Sequence, residues 1–159
     1  MGGGGGRGGI ASQRIDINIP PGVDTGDQVE VQVDMPGKKG SKMRVAIPIE
    51  VEPHALFTRE GSDINVRCDV PLHSALLGTS LRVPTLDGHV ELAVPACSQH
   101  GDKLRLRGKG IYDVRRGVKG DQYVELRIAM PKKLTTKQRE LISQFGMEEV
   151  GKGEAKPKV

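Results

Sequence analysis

The chain has 159 residues and a formal charge of +4, from 24 basic against 20 acidic side chains. That length suits one ordinary domain or two small ones, and the basic excess falls short of the clustered charge of a dedicated nucleic-acid binder. Apolar residues make up 36% and aromatic residues only 3%, so a core must be built from Val, Ile and Leu; no apolar run approaches the roughly 18 residues of a membrane-spanning helix.

In chain order, residues 1–13 form a glycine-rich leader without periodicity, which predicts a flexible segment. MGGGGGRGG lacks the apolar stretch of a secretory signal, and Gly6 stands where N-myristoylation needs Ser or Thr. From Arg14 a period of two takes over. Ile15, Ile17 and Ile19 alternate with polar residues, then Val29, Val31 and Val33, then Met43 to Val51. Ile64, Val66, Cys68 and Val70 follow, then Val90 to Val94, Leu104 and Leu106, and Val124 to Met130. Such alternation between Gly, Pro and Asp turns predicts half-buried antiparallel strands and an all-β class.

Helical signals are few. LHSALLGTS (72–80) suits one or two turns ending near Gly78. LTTKQRELISQF (134–145) is the clearer helix: Thr135 and Gln138 have capping-box spacing, and Leu141, Ile142 and Phe145 form an apolar stripe. Beyond Gly146 the sequence fades into a polar tail. An internal repeat is also present. INIPPGVDTGDQVEVQV (17–33) has the layout of LAVPACSQHGDKLRLRG (92–108): strand, proline turn, Gly-Asp turn, strand. Each copy is followed by a long strand that closes on proline, which predicts two related β-sandwich lobes in series.

Chemistry-bearing patterns are weak. KLRLRGKGIYDVRRGVKGDQY (103–123) is rich in Gly and basic residues, yet strands follow where a phosphate-binding loop needs a helix. A nucleic-acid grip would need more stacking aromatics than Tyr112 and Tyr123. Gly108 and Gly110 are expected to make a bend or bulge, with the basic side chains on a solvated face. The four histidines lack metal-ligand spacing, no G-x-S-x-G elbow is present, and Asp87, Glu91 and Asp102 sit in turn or strand contexts. Neither an enzyme nor a cofactor is expected. Cys68 and Cys97 lack the partners of a zinc site; a disulfide stays open, and two buried thiols in strands is the favoured reading.

Several phrases together resemble the C-terminal substrate-binding region of the DnaJ (J-domain) co-chaperones: IPPGVDTGD, VEPHALFTREGSDINVRCDVPL, ALLGTSLRVPTLDGHVELAVPA, LRLRGKGI and GDQYVELRIAMPKKLTTKQRELISQF. The similarity runs from about Arg14 to Phe145, in the family's order. It implies two β-sandwich lobes that hold exposed apolar segments of unfolded client polypeptides and pass them to a DnaK-class heat-shock chaperone. It also implies a client groove on the first lobe, beside RIDINI and HALFTREG, with Ile15, Ile17 and Phe57 as apolar contacts. A dimerisation role for the C-terminal end would fall to Leu141, Ile142 and Phe145.

The departures shape the expectation further. The J-domain's His-Pro-Asp tripeptide and the CxxCxGxG zinc modules are not in this sequence, and the first lobe reads as incomplete. The expected organisation is a leader (1–13), a partial first, client-binding lobe (14–57), a second lobe (58–131), a C-terminal helix (132–146) and a polar tail (147–159). With strands missing, residues 14–53 should be the less stable part. The compartment suggested is a reducing cytosol, or a mitochondrial matrix if a targeting segment lies upstream. The competing reading is a non-catalytic β-sandwich assembly protein with weak nucleic-acid affinity through 103–119 and the Gly/Arg leader.

Overall fold

The computed structural model describes Ser12 and residues 14–149. In chain order the elements are β1 (Gln28–Asp34), β2 (Lys42–Pro48), β3 (Thr58–Glu60), β4 (Asp63–Pro71), α1 (Leu72–Leu77) and β5 (Thr79–Thr85). There follow β6 (Gly88–Val94), β7 (Lys103–Leu106), β8 (Tyr112–Asp113), β9 (Val118–Lys119), β10 (Gln122–Ala129) and α2 (Thr136–Glu149). Strand dominates, so the chain is all-β with a C-terminal helix. The glycine-rich leader lies outside the described residues apart from Ser12, as does the tail from residue 150.

Four sheets form among the described residues. β1 pairs antiparallel with β2, from Gln28 opposite Pro48 to Asp34 opposite Lys42. A four-stranded sheet has the order β3-β4-β10-β7. β5 and β6 make a tight hairpin with Thr85 opposite Gly88, and β8 and β9 make a two-residue ladder. The chain divides into two compact units. Among the described residues, the first joins those up to Ile64 with 107–122, and the second joins 65–106 with those from Tyr123 to Glu149.

The core lies mainly in the second unit. Val66 and Val70 of β4, Ala75 of α1, Val83 of β5, Val94 of β6, and Val124 and Leu126 of β10 are all buried. In β4 the alternating set Ile64, Val66 and Val70 faces inward, as a period of two requires. By contrast, no residue between 14 and 57 is fully buried. β1 and β2 alternate only between half-buried and exposed.

The turn of the sequence repeat closes with matching bonds in both copies. In the first copy the Asp27 side chain accepts from the Asp24 N–H (2.7 Å), and the Asp27 N–H donates back to the Asp24 carbonyl (3.0 Å). In the second, Asp102 and Gln99 repeat this exchange at 2.8 and 3.1 Å. Gly26 (φ +96°) then donates to the Ile49 carbonyl, and Gly101 (φ +87°) to that of Leu126. Asp27 and Asp102 accept in return from Ile49 and Leu126, both at 2.8 Å. The Val51 N–H finds Thr25 Oγ1, and the Ile128 N–H finds His100 Nδ1. One turn chemistry therefore fastens a long strand or extended segment in each unit. A left-handed backbone favours Gly at 26 and 101. The same register explains Cys97, whose φ of +58° makes it the one non-glycine with positive φ among the described residues: it occupies the place that Gly22 (φ +89°) holds in the first copy.

Several expectations are corrected. Residues 14–19 are not a strand: alternation specifies two faces, but a strand also needs a hydrogen-bonding neighbour, and Pro20 and Pro21 remove two donors at the end of the run. Ile15, Ile17 and Ile19 are consequently all exposed. β2 stops at Pro48, so residues 49–51 are held only by the turn bonds described above. The stretch 72–80, by contrast, gives the expected short helix, Leu72–Leu77 ending at Gly78, before β5 begins at Thr79. α2 runs through Gly146 to Glu149, because helix formers follow that glycine. The thiols are not two buried ones: both cysteines are free, Cys68 half-buried in β4 and Cys97 exposed in a loop.

Candidate functional site

The three residues expected to meet a client all fall in the first unit. Ile15 and Ile17 are 39% and 37% exposed in a segment without regular structure. Phe57 immediately precedes β3 and is half-buried. Its backbone is held by His54, whose Nδ1 accepts from the N–H groups of Leu56 (3.1 Å) and Phe57 (3.4 Å). The two rings lie 4.9 Å apart and tilted by 45°. A side-chain acceptor two or three residues upstream closes a local turn, and the ring contact fixes the aromatic above it. Leu56, not foreseen as a contact, is 57% exposed beside it.

Arg59 of β3 is not singled out by its sequence context, yet its guanidinium makes three hydrogen bonds to backbone carbonyls and one ion pair. Its Nη1 donates to the Val23 carbonyl (2.7 Å) and its Nη2 to the Gly22 carbonyl (2.8 Å). Its Nε donates to the Gly61 carbonyl (2.8 Å), and the same nitrogen lies 3.4 Å from Asp24 Oδ2. The planar fork of a guanidinium suits adjacent carbonyls in this way. From the other side, a side chain at Gly22 would run into the Tyr112 carbonyl oxygen. The turn at 22–24, which ends the Ile15–Ile19 segment, is thus gripped between a guanidinium and a backbone carbonyl.

The glycine-rich stretch 107–122 is architecture. A methyl at Gly110 or Gly120 would collide with the Ser62 carbonyl oxygen, so both glycines allow close backbone approach. That carbonyl accepts from the Ile111 N–H at 2.8 Å, and Gly110 and Ile111 exchange bonds with Gly120 at 2.9 Å. Asp63 Oδ1 accepts from the Asp121 N–H (2.7 Å), and Asp121 Oδ1 from the Gly108 N–H (2.9 Å). Asp113 Oδ1 closes the hairpin tip by accepting from the N–H groups of Arg115 and Arg116. These carboxylates serve backbone turns.

In the second unit the capping box forms as spaced. Gln138 N–H donates to Thr135 Oγ1 (3.1 Å), and Thr135 N–H to Gln138 Oε1 (2.9 Å). Leu141 and Ile142 of α2, with Leu72, Leu76, Met130 and Leu134, line an apolar groove of about 500 Å³. Phe145 is not part of that lining and stands 51% exposed. The groove combines residues distant in sequence, which is why the stripe on α2 alone does not disclose it. Burial and the neighbouring Asp69 carboxylate push the Cys68 thiol above its ordinary range. Among the described residues, no group of three or more His, Cys, Asp or Glu side chains could hold a metal ion. No helix among them is long and apolar enough to cross a membrane.

The molecule is therefore an all-β module whose turn carboxylates serve its own backbone and whose exposed apolar side chains lie on loops, on both helices and on a few strand positions. It belongs to the DnaJ C-terminal domain family, whose family model matches residues 9–131. The chain is 44% identical over 139 residues to the chaperone protein DnaJ of Ruminiclostridium cellulolyticum, covering 85% of this chain and 36% of that protein. It is 44% identical over 137 residues to the chaperone protein DnaJ of Geobacillus kaustophilus, covering 84% and 35%. With that of Clostridium acetobutylicum it shares 40% identity over 148 residues, covering 92% and 39%. The chain thus spans little more than a third of the length of these relatives.

Proposed function

We propose that this chain is a non-enzymatic client-binding module of a J-domain co-chaperone. It holds exposed apolar segments of unfolded polypeptides for hand-over to a DnaK-class heat-shock chaperone, in the cytoplasm or an organelle matrix. One observation carries the reading: a member of the DnaJ C-terminal domain family keeps Ile15 and Ile17 exposed, at 39% and 37%, in a segment that pairs with no strand. Phe57, set above His54, adds an aromatic to the same unit. In this reading residues 14–57 carry client binding, and Leu141, Ile142 and Phe145 of α2 serve self-association.

Suppression of aggregation of a chemically reduced client, at low and high salt, tests the proposal. Holdase activity that survives salt and falls in Phe57→Ala supports it, since apolar contact is little screened. Binding to RNA with a steep salt slope and no holdase effect supports instead a nucleic-acid role for 103–119. Light scattering on wild type and Phe145→Asp tests self-association: a dimer that dissociates on substitution supports it, and a monomer in both removes it.

A further inference from the structure

We infer that Arg59 is a positioning residue for client binding, because its guanidinium fastens the 22–24 turn to the strand that follows Phe57. The inference rests on the proposed client-binding role of Ile15, Ile17 and Phe57. Two elements of the candidate site reach the fold by different routes. The Ile15–Ile19 segment has no strand ladder and leads into the turn at Pro20 to Asp24. Phe57 precedes β3, two residues before Arg59. Arg59 ties these routes together through the carbonyls of Gly22 and Val23 (2.8 and 2.7 Å) and the Asp24 carboxylate (3.4 Å). Its Nε, bonded to the Gly61 carbonyl at 2.8 Å, aims the fork from its own hairpin.

The geometry suits positioning better than simple bulk stability. The guanidinium is part-buried, as are Gly22 and Val23 of the turn it grips, whereas Ile15 and Ile17 upstream are exposed. Three of its contacts are to backbone carbonyls, which report the path of the chain and not the identity of its side chains. Lysine at this position keeps the charge but has no planar fork to engage two adjacent carbonyls at once. Gly22 supplies an independent handle on the same turn: a methyl there meets the Tyr112 carbonyl oxygen and must push the turn away while leaving Arg59 intact. A turn held in one place spares a client the cost of ordering it, and that saving appears as affinity.

The test measures affinity for fluorescein-labelled reduced and carboxymethylated α-lactalbumin by anisotropy, with amide exchange at Asp24 and Asp27. Arg59→Lys and Gly22→Ala are each expected to weaken client binding by roughly fivefold or more and to speed exchange at both amides. Added millimolar guanidinium should restore part of the affinity to Arg59→Ala and none to Phe57→Ala. Wild type alone supplies an arm that needs no variant to fold: client binding should slow exchange at Asp24 and Asp27, since coupling is reciprocal. Faster turn exchange with wild-type affinity in Arg59→Lys or Gly22→Ala overturns the inference alone, as does unchanged exchange on client binding to wild type. No client binding by wild type overturns the proposed function and the inference with it.

Discussion

Gly120→Ala should be among the most damaging one-carbon changes in the chain. A methyl at this position meets the Ser62 carbonyl oxygen and comes within 2.8 Å of Asp63 Oδ1. Backbone on the opposing side cannot rotate away as a side chain would, so residues 62–63 and 120–121 must separate. The bonds put at risk are Asp121 N–H to Asp63 Oδ1 (2.7 Å), Ile111 N–H to the Ser62 carbonyl (2.8 Å) and Gly110 N–H to the Gly120 carbonyl (2.9 Å). Overpacking alone costs about 1–3 kcal/mol, and one charge-assisted bond is worth about 1.5–3 kcal/mol. Alanine returns about 0.4–1 kcal/mol by restricting the unfolded chain. The net loss should be about 1.5–5.6 kcal/mol, which lowers a urea midpoint by about 1–3.7 M if the slope is about 1.5 kcal/mol/M. Gly108→Ala is the control: its φ of +68° strains alanine, but nothing lies within 4 Å. There the left-handed penalty of about 1–2 kcal/mol is partly offset by about 0.4–1 kcal/mol, for a midpoint shift below about 1.1 M. Urea unfolding followed by far-ultraviolet circular dichroism and tyrosine fluorescence measures both. If Gly120→Ala shifts the midpoint no further than Gly108→Ala, close backbone approach is not what this glycine provides.

Amide exchange should be faster throughout residues 14–53 than in β4 and β10, because the former contain no buried side chain; equal protection would show that the two-stranded β1–β2 ribbon is stabilised by something other than burial. Cys97→Gly should raise the urea midpoint modestly, since release of a left-handed φ, about 1–2 kcal/mol, exceeds the entropy glycine returns to the unfolded chain. A fall would mean the thiol contact with the Leu76 carbonyl (3.7 Å) outweighs the strain. Iodoacetamide at neutral pH should label exposed Cys97 before half-buried Cys68, whose raised pKa leaves less thiolate; mass spectrometry after partial labelling decides it, and Cys68 labelled first would refute it. Thr135→Ala removes the acceptor for the Gln138 N–H and should cost about 1 kcal/mol, read as faster exchange in the first turn of α2.

What could be read from sequence was local chemistry. The Gly-Asp pairs at 26–27 and 101–102 announced the same turn twice, and both copies close with the same set of bonds. Thr135 and Gln138 announced a cap for the same reason: both partners lie within one helical turn. What failed was pairing. Ile15, Ile17 and Ile19 alternate as well as Val29, Val31 and Val33, yet only the latter have a partner strand, in Met43, Val45 and Ile47. The candidate site divides along the same line. The exposed isoleucines and Phe57 were accessible through family resemblance, whereas Arg59 acts on carbonyls 36 and 37 residues away. Backbone acceptors leave no letter in a sequence, so no motif could have named its partners.

The two compact units are not two consecutive stretches of chain: the path changes unit after Ile64, after Leu106 and after Gln122. A gene cut after Ile64 therefore severs the first unit from residues 107–122, and a fragment starting at Asn65 carries that insert without the rest of its unit. Recombination between relatives faces the same constraint, since exchanging the first unit means exchanging two separate pieces of coding sequence together. The second unit is more forgiving. Its insert leaves from β7 and returns at β10, so a short linker in place of 107–122 would convert this chain into a test of whether Asn65–Leu106 and Tyr123 onward fold as an independent body.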